Sequence, residues 1–427
     1  KTRLFRLNGS HNKLDWHVKT VKLIREVCPS AVILVDVPGI KPRTNNINKI
    51  SIRKGQLVIF GSSTNADESL VISLTRSLPK IEQHIDFFSI NDGQFLFQTI
   101  DFGDDFIAGK SLTDFTLQPR KGLNIPNSVY DDQAQLSVYD DFIESITDLD
   151  VNALGLSFVQ NADLISQIRQ KKPKLLMVAK IENSEGLRNC SEIVSVADAV
   201  MIDRGDLAAE IGMSSLFGSI EQIAFETKWA GKPLIMATEN LETMMVRQLP
   251  SKSEVMSIAH SISIGADCIM LSEETAIAKN GVDIVHWLED HLRRLPKAIK
   301  YSKKPSEKKK FPEIWQMLST IEHLPVIVMS KSGHAIFEYL AIMPNAEFSV
   351  ISDNPKVLNL LELLANNIEF ISIQLKDKKP SEIVRSVIRD NKARYFNGHD
   401  KVLAIYVSEY VSTSRANCIT IFHKEDF

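Results

Sequence analysis

The chain has 427 residues, of which 44% are hydrophobic, and a formal net charge of −3 at pH 7. This length predicts two or three domains, and the near-neutral charge gives no electrostatic reason to expect nucleic acid or an anionic membrane as a partner. Four cysteines without a CxxC pair indicate neither a zinc site nor a disulfide framework, and no apolar run is long enough to span a membrane, so a cytoplasmic protein is expected.

Two predicted strands open the chain. Residues 2–7 form an apolar run that ends at Asn8, and residues 31–35 form another that ends at Asp36. A helix is predicted over residues 16–26 between them. Short apolar runs that alternate with helices predict parallel strands in βα units.

The pattern changes between residues 38 and 122. Short alternating segments such as 56–60 and 95–97 are separated by turn residues, as at Asn91-Asp92-Gly93. We predict a small all-β domain over residues 41–121, inserted between two βα units.

The βα pattern then repeats five times between residues 152 and 275. Its apolar runs are residues 153–156, 175–179, 199–202, 233–237 and 268–271, with helices predicted over 162–170 and 216–230. Seven parallel strands predict a (β/α)₈ TIM-type barrel, formed by residues 1–40 and 122–300, whose first strand is missing from this sequence.

The last part of the chain reads as a separate domain. Residues 301–310 are rich in lysine and predict a linker. Strand-like runs at 325–329, 347–351 and 402–407, with helices between them, predict a C-terminal α/β domain over residues 311–427.

Polar residues follow most of the predicted barrel strands. In a parallel barrel, the carboxyl ends of all strands face one rim, and that rim holds the active site. Here the predicted rim contains Asn8, Ser10, Asp36, Lys180, Glu182, Asp206, Thr238, Ser272 and Glu274. Glu182 and Asp206 provide the oxygen ligands that a hard divalent cation prefers, and Lys180 points toward the same end. This combination is suited to phosphoryl transfer or to stabilisation of an enolate.

Six segments resemble motifs of the pyruvate kinase family, in the order of that family. They are RLNGSH at 6–11, RKGLNIP at 120–126, KIEN at 180–183, RGDL at 204–207, AGKPLIMAT at 230–238 and GADCIMLSEETA at 265–276. The resemblance implies a barrel, an inserted lid domain and a C-terminal domain. It also implies transfer of the phosphoryl group of phosphoenolpyruvate to ADP, a requirement for Mg²⁺ or Mn²⁺, and a homo-oligomer, expected to be a tetramer.

The resemblance also assigns roles to individual residues. Lys180 would stabilise the moving phosphoryl group and the enolate oxygen, and Thr238 would lie beside the carbon that becomes a methyl group. The remaining roles are Arg43 and Arg6 for phosphoryl oxygens, Gly205, Asp206 and Thr238 for the substrate, Glu182 and Asp206 for Mg²⁺, Ser272 and Glu274 for proton delivery, Asn8, Ser10 and Asp36 for a monovalent-cation pocket, and His11, Asp92 and Lys121 for the nucleotide.

One departure from the family concerns potassium. In segment 36–43 (DVPGIKPR), Lys41 stands where potassium-dependent members have glutamate. A tethered ammonium supplies the positive charge that a bound ion would otherwise provide. We therefore expect activity without K⁺, with Lys41 as the cation substitute.

Other departures leave alternatives open. Glu239 replaces the usual Gln, Asp203 stands where a small residue is usual, and Gln160 stands where Arg or Lys is common. A degenerate relative that binds a ligand or partner without catalysis is one alternative. Another barrel enzyme that acts on phosphoenolpyruvate or pyruvate is a second, although it would not need the inserted and C-terminal domains.

Overall fold

The computed structural model describes residues 3–62, 70–295, 323–331, 346–363, 368–375, 379–407 and 418–427, with single residues between 318 and 343. The chain divides into two compact units. The first comprises Lys1–Glu226, Leu234–Ser261 and Ile269–Leu295, and the second comprises Thr227–Pro233, Ile262–Cys268 and Pro296–Phe427. The predicted linker at 301–310 lies outside the described residues, and the predicted domain boundaries stay predictions.

The first βα unit consists of strand β1 (Leu4–Asn8), helix α1 (Leu14–Val27) and strand β2 (Val32–Val37). Strands β1 and β2 pair in parallel, with Asn8 opposite Asp36. Every residue of β2 is buried, as expected for a central strand of a parallel sheet. Asp36 was predicted to follow this strand but is its penultimate residue, so its carboxylate is buried.

Ten short strands follow, and they confirm the all-β character of this stretch. They are β3 (Ile50–Ile52), β4 (Leu57–Gly61), β5 (Leu70–Ile72), β6 (Lys80–Ile81), β7 (Phe87–Ile90), β8 (Phe95–Phe102), β9 (Phe106–Ser111), β10 (Phe115–Leu117), β11 (Leu123–Asn124) and β12 (Ser128–Val129). Six of them form a sheet in the order β11-β7-β8-β9-β4-β5. Its core contains Phe60, Phe88 and Phe97, whose ring centroids lie 5.1 to 5.8 Å apart.

The βα pattern then resumes. The strands are β13 (Ala153–Leu156), β14 (Leu176–Ile181), β15 (Ala199–Asp203), β16 (Leu234–Ala237) and β17 (Cys268–Ile269). The helices are α2 (Asp132–Ser145), α3 (Ala162–Lys171), α4 (Ser184–Arg188), α5 (Cys190–Val196), α6 (Arg204–Ile211), α7 (Met213–Trp229), α8 (Lys252–Ser263), α9 (Glu273–Ala276) and α10 (Gly281–Arg294), with a 3₁₀ turn, η1 (Glu242–Met245).

Strands β1 and β2 join β13 to β17 in one seven-stranded sheet, in the order β1-β2-β13-β14-β15-β16-β17. Neighbouring strands from β1 to β16 pair in parallel, so their carboxyl ends meet at one edge. Buried aliphatic side chains fill the strands, for example the fully buried β13 and β14. The prediction of a parallel barrel-type sheet with seven strands is confirmed. An active site is expected at the carboxyl edge of this sheet.

The second unit contains an α/β sheet of its own, as predicted. Its elements are β18 (Val326–Met329), β19 (Phe348–Ser352), α11 (Pro355–Leu361), β20 (Ile368–Ser372), α12 (Pro380–Asp390), α13 (Lys392–Tyr395), β21 (Lys401–Tyr406), β22 (Cys418–His423) and the 3₁₀ turn η2 (Lys424–Asp426). The strands pair in the order β20-β19-β18-β21-β22, with β22 antiparallel to β21. Throughout the described part of the chain, the helices are too short or too polar to cross a membrane.

Candidate active site

A buried lysine lies at the centre of the carboxyl edge. Lys180, near the end of β14, is 5% exposed. Its Nζ lies 2.6 Å from Glu182 Oε1, 3.3 Å from Asp36 Oδ2 and 3.6 Å from Asp203 Oδ2. Burial disfavours a charged ammonium, but the surrounding carboxylates outweigh it and raise the pKa of Lys180 well above its ordinary value. Lys180 is therefore a fixed positive charge.

Arg6 and Asp36 extend this group on one side. Arg6 donates to Asp36 Oδ2 from Nε at 3.0 Å and from Nη2 at 2.5 Å. Burial opposes ionisation of Asp36, yet Lys180 and Arg6 hold the pKa of that carboxyl below its ordinary value. Asp36 is thus an ionised carboxylate between two cationic side chains. Its predicted partners in a monovalent-cation pocket contact each other, since the backbone N–H of Ser10 donates to Asn8 Oδ1 at 3.0 Å. The pocket itself stays a prediction.

Three carboxylates converge on the other side. Glu182, Asp203 and Asp206 each offer an oxygen, and these oxygens lie within 4.8 Å of one another. Glu182 is fully buried; its Oε2 accepts from the backbone N–H of Phe158 at 2.8 Å, and its Oε1 pairs with the Lys180 ammonium at 2.6 Å. Burial, reinforced by the neighbouring acids, raises the pKa of Glu182 to about 8 and raises that of Asp203.

Such an arrangement fits a divalent cation. Clustered buried carboxylates repel one another unless a positive charge lies among them. An all-oxygen set of three carboxylates is the donor chemistry that Mg²⁺ and Mn²⁺ accept. Glu182 and Asp206 were named from the sequence as ligands, and the structure adds Asp203, which sequence reasoning noted only as an unusual residue.

A strained turn places Thr238 beside Asp203. Thr238 and Glu239 both have positive φ, at 59° and 51°. Thr238 Oγ1 lies 3.2 Å from Asp203 Oδ1 and accepts from the backbone N–H of Gly205 at 3.3 Å. Non-glycine residues adopt this conformation only where their surroundings impose it, so the turn is held by other groups.

Arg204 holds that turn, a role that the sequence analysis did not assign to it. It is 7% exposed and donates to the carbonyl of Ala237 at 3.3 Å, to the carbonyl of Thr238, and to Asn240 Oδ1 at 2.9 Å. The five donors of a planar guanidinium allow it to bind these acceptors at once. The signal in the sequence was its position in the segment RGDL at 204–207, close behind the apolar run at 199–202.

Lys41 contacts the acidic cluster and not solvent. It is 6% exposed, and its Nζ lies 2.5 Å from Asp206 Oδ1 and 3.0 Å from Asp92 Oδ1. From the sequence, Lys41 was expected beside Asn8, Ser10 and Asp36. Among the described residues, its ion pairs are instead with Asp206 and Asp92. Burial opposes ionisation of Asp206, but the Lys41 ammonium lowers the pKa of that carboxyl below its ordinary value.

The remaining predicted residues lie around this centre. Burial, together with the charges of Arg43, Arg6 and Lys121, lowers the pKa of His11 although Glu273 opposes them. Arg43 donates to the carbonyl of Arg120 at 3.3 Å. A group of basic residues beside a cation site is suited to phosphate oxygens.

Ser272 and Glu274 form a second cluster. Both carboxylate oxygens of Glu274 accept backbone N–H groups, from Ser272 at 2.6 Å and from Leu241 at 3.1 Å. The Ser272 hydroxyl is buried and without a hydrogen-bond partner. In the described contacts Glu274 therefore joins two loops at the carboxyl edge, and its predicted part in proton delivery stays a prediction.

Comparison with known proteins agrees with this geometry. The family model described as "Pyruvate kinase, barrel domain" matches residues 2–285, which is more than half of the chain.

The chain belongs to the pyruvate kinase family.

Individual pyruvate kinases are similar at moderate identity. The chain is 33% identical to "Pyruvate kinase" of Thermococcus litoralis over 66% of its own length and 62% of the relative, and 28% identical to that of Thermotoga maritima over 70% and 66%. It is 27% identical to "Pyruvate kinase, cytosolic isozyme" of Nicotiana tabacum over 64% and 56%. The chain thus spans less than two thirds of each of these pyruvate kinases.

Proposed function

We propose that this protein transfers the phosphoryl group of phosphoenolpyruvate to ADP, giving pyruvate and ATP. The observation on which the proposal depends is the buried ammonium of Lys180, held among Asp36, Glu182 and Asp203 at the carboxyl edge of the sheet. A permanent positive charge in a site shielded from water stabilises negative charge that moves during a reaction. Phosphoryl transfer with formation of an enolate moves such a charge.

A divalent cation belongs to this proposal. Glu182 and Asp206 would hold Mg²⁺ or Mn²⁺, which neutralises charge on the substrate's phosphoryl oxygens when bound. Arg6 and Arg43 would bind the phosphoryl oxygens from the other side, and His11, Asp92 and Lys121 would face the nucleotide. Thr238, fixed beside Gly205 at 3.3 Å, would lie next to the substrate carbon that receives a proton.

The proposal extends to the setting of the activity. We place the protein in the cytoplasm, as a homo-oligomer that the family resemblance leads us to expect as a tetramer, with phosphoenolpyruvate and ADP as its substrates. Its formal net charge of −3 gives no electrostatic reason to expect a nucleic acid as a further partner.

The test is pyruvate formation from phosphoenolpyruvate with and without ADP, followed in a coupled assay with Mg²⁺ present. We expect turnover only with ADP. In Lys180→Met, kcat should fall by at least about 10²-fold, with a smaller effect on substrate binding, because the lost charge acts on the transition state.

The matched control is Lys232→Met. Lys232 is also a buried lysine, 7% exposed, but it precedes β16 and so belongs to the amino end of a barrel strand. Residues at that end contribute to stability and not to catalysis, so kcat should be nearly unchanged. A folded Lys180→Met protein with near-normal kcat, or a parent protein that forms no pyruvate with ADP and Mg²⁺, would contradict the proposal.

A further inference from the structure

Asp203 is the last residue of β15 and points its carboxylate into the site. It is 7% exposed. Its Oδ1 lies 3.2 Å from Thr238 Oγ1 and its Oδ2 lies 3.6 Å from Lys180 Nζ. Both separations are longer than a strong charge-assisted hydrogen bond, so neither partner fully compensates a buried carboxylate.

The spacing of the acids matches a shared ion. Oxygens of Glu182, Asp203 and Asp206 lie within 4.8 Å of one another. Ligand oxygens that surround a divalent cation at about 2.0 to 2.6 Å lie at most about 5 Å apart across it. The three oxygens are therefore close enough to one another to share one cation.

The local excess of negative charge also favours the binding of a cation. Five carboxylates and three cationic side chains contact one another here, namely Asp36, Asp92, Glu182, Asp203 and Asp206 with Arg6, Lys41 and Lys180. When all are ionised, the carboxylates outnumber the cations by two, and Asp203 contributes one of these excess negative charges. A divalent cation would neutralise this excess beside the place where an anionic substrate binds.

We propose that Asp203 is a third carboxylate ligand of the divalent cation, alongside Glu182 and Asp206. This inference rests on the proposed function, which supplies the requirement for the cation. It deepens that function because three carboxylates, and not two, would then determine the affinity for the cation in the absence of substrate.

Asp203→Asn separates the ligand role from a merely structural one. Asparagine keeps a side-chain oxygen that accepts from Thr238 but removes the negative charge. The experiment measures Mn²⁺ binding to the full chain without substrates, from the electron paramagnetic resonance signal of free Mn²⁺. We expect the Kd for Mn²⁺ to rise about tenfold or more.

The control is Asp198→Asn. Asp198 directly precedes β15, so it flanks the same strand at its other end, where it pairs with Arg169 at 2.9 Å. Loss of its charge should leave the Kd for Mn²⁺ within about twofold of the parent, since it lies outside the cluster. Circular dichroism verifies the fold of every variant, and Asp203→Ser replaces Asp203→Asn if the latter does not fold.

Comparison variants distinguish the possible failures. If Glu182→Gln and Asp206→Asn weaken Mn²⁺ binding while Asp203→Asn does not, Asp203 is no ligand and the proposed two-acid site stands. If none of the three weakens binding, the cation site of the proposed function fails as well. Equal weakening by Asp198→Asn and Asp203→Asn would show a general effect of charge and would also overturn the inference.

Discussion

A single buried acid shows how burial makes stability depend on pH. Glu210, on α6, is fully buried, and its Oε1 accepts from Asn124 Nδ2 at 3.1 Å while its Oε2 has no hydrogen-bond partner. Burial raises the pKa of Glu210 from 4.5 to about 8. Between these values the folded chain holds a proton that the unfolded chain releases, so the stability contributed by this proton is lost as pH rises through this window.

We therefore predict that Glu210→Gln flattens the pH dependence of stability. Glutamine keeps the contact with Asn124 but cannot ionise. Between pH 6 and pH 8 the parent's free energy of unfolding should fall by about 2 kcal/mol more than that of the variant. Urea unfolding of both proteins at several pH values measures this difference, and parallel profiles would show that Glu210 ionises as easily in the folded state as in the unfolded one.

Lys41 leads to a prediction about monovalent cations. Its buried ammonium, 2.5 Å from Asp206 Oδ1, is a permanent positive charge beside the proposed cation site. We predict full activity in K⁺-free and NH₄⁺-free buffer, with tetramethylammonium as counter-ion and constant ionic strength because salt screens exposed charges. Lys41→Glu should create a K⁺ requirement. Strong stimulation of the parent protein by KCl would rule out this role for Lys41.

At the scale of elements, the six-stranded sheet of the inserted region depends on its aromatic core. Phe97 on β8 is fully buried and stacks on Phe88 at 5.1 Å, with Phe60 edge-on at 5.3 Å. These side chains come from separate strands, β4, β7 and β8, so the cluster joins the sheet across its width.

Phe97→Ala should destabilise this sheet by about 3 to 5 kcal/mol, the usual effect of removing a buried phenylalanine. Phe87→Ala is the control, since Phe87 begins β7 but is 46% exposed, and its removal should cost less than about 1 kcal/mol. Amide hydrogen exchange of β4, β7 and β8 measures the local effect. Similar exchange rates in the two variants would mean that the aromatic core does not stabilise the sheet.

The barrel strands could be predicted from the sequence, whereas one turn at their carboxyl edge could not. Apolar runs predicted each barrel strand to within two residues at either end, because strands buried on both faces need continuous apolar sequence. The left-handed turn at Thr238 and Glu239 was not predictable. Neither residue has a strong intrinsic preference for that conformation, and Arg204, which holds it in place, contacts it only through tertiary packing.

For the whole molecule, the sequence predicted which residues reach the carboxyl edge but not which of them meet. Lys180 on β14 reaches Asp36 on β2 across the intervening strand β13, at 3.3 Å. The pairing of Lys41 with Asp206 joins residues 165 positions apart and depends on how the inserted region lies on the barrel. Asp203 was noticed as unusual, yet only the distances among three carboxylates gave it a role.

The inserted region also affects how the chain folds. Strand β2 pairs with β13, so that Leu34 lies opposite Ala153 across more than a hundred residues of intervening chain. Arg43 and Gly122, at the two ends of the inserted strands, bridge each other. Once those strands have folded, the loop that must close between β2 and β13 is far shorter, and its entropic cost is correspondingly smaller. During synthesis this region emerges before β13, so the chain can complete its most local sheet first and then use it to bring the distant barrel strands into register.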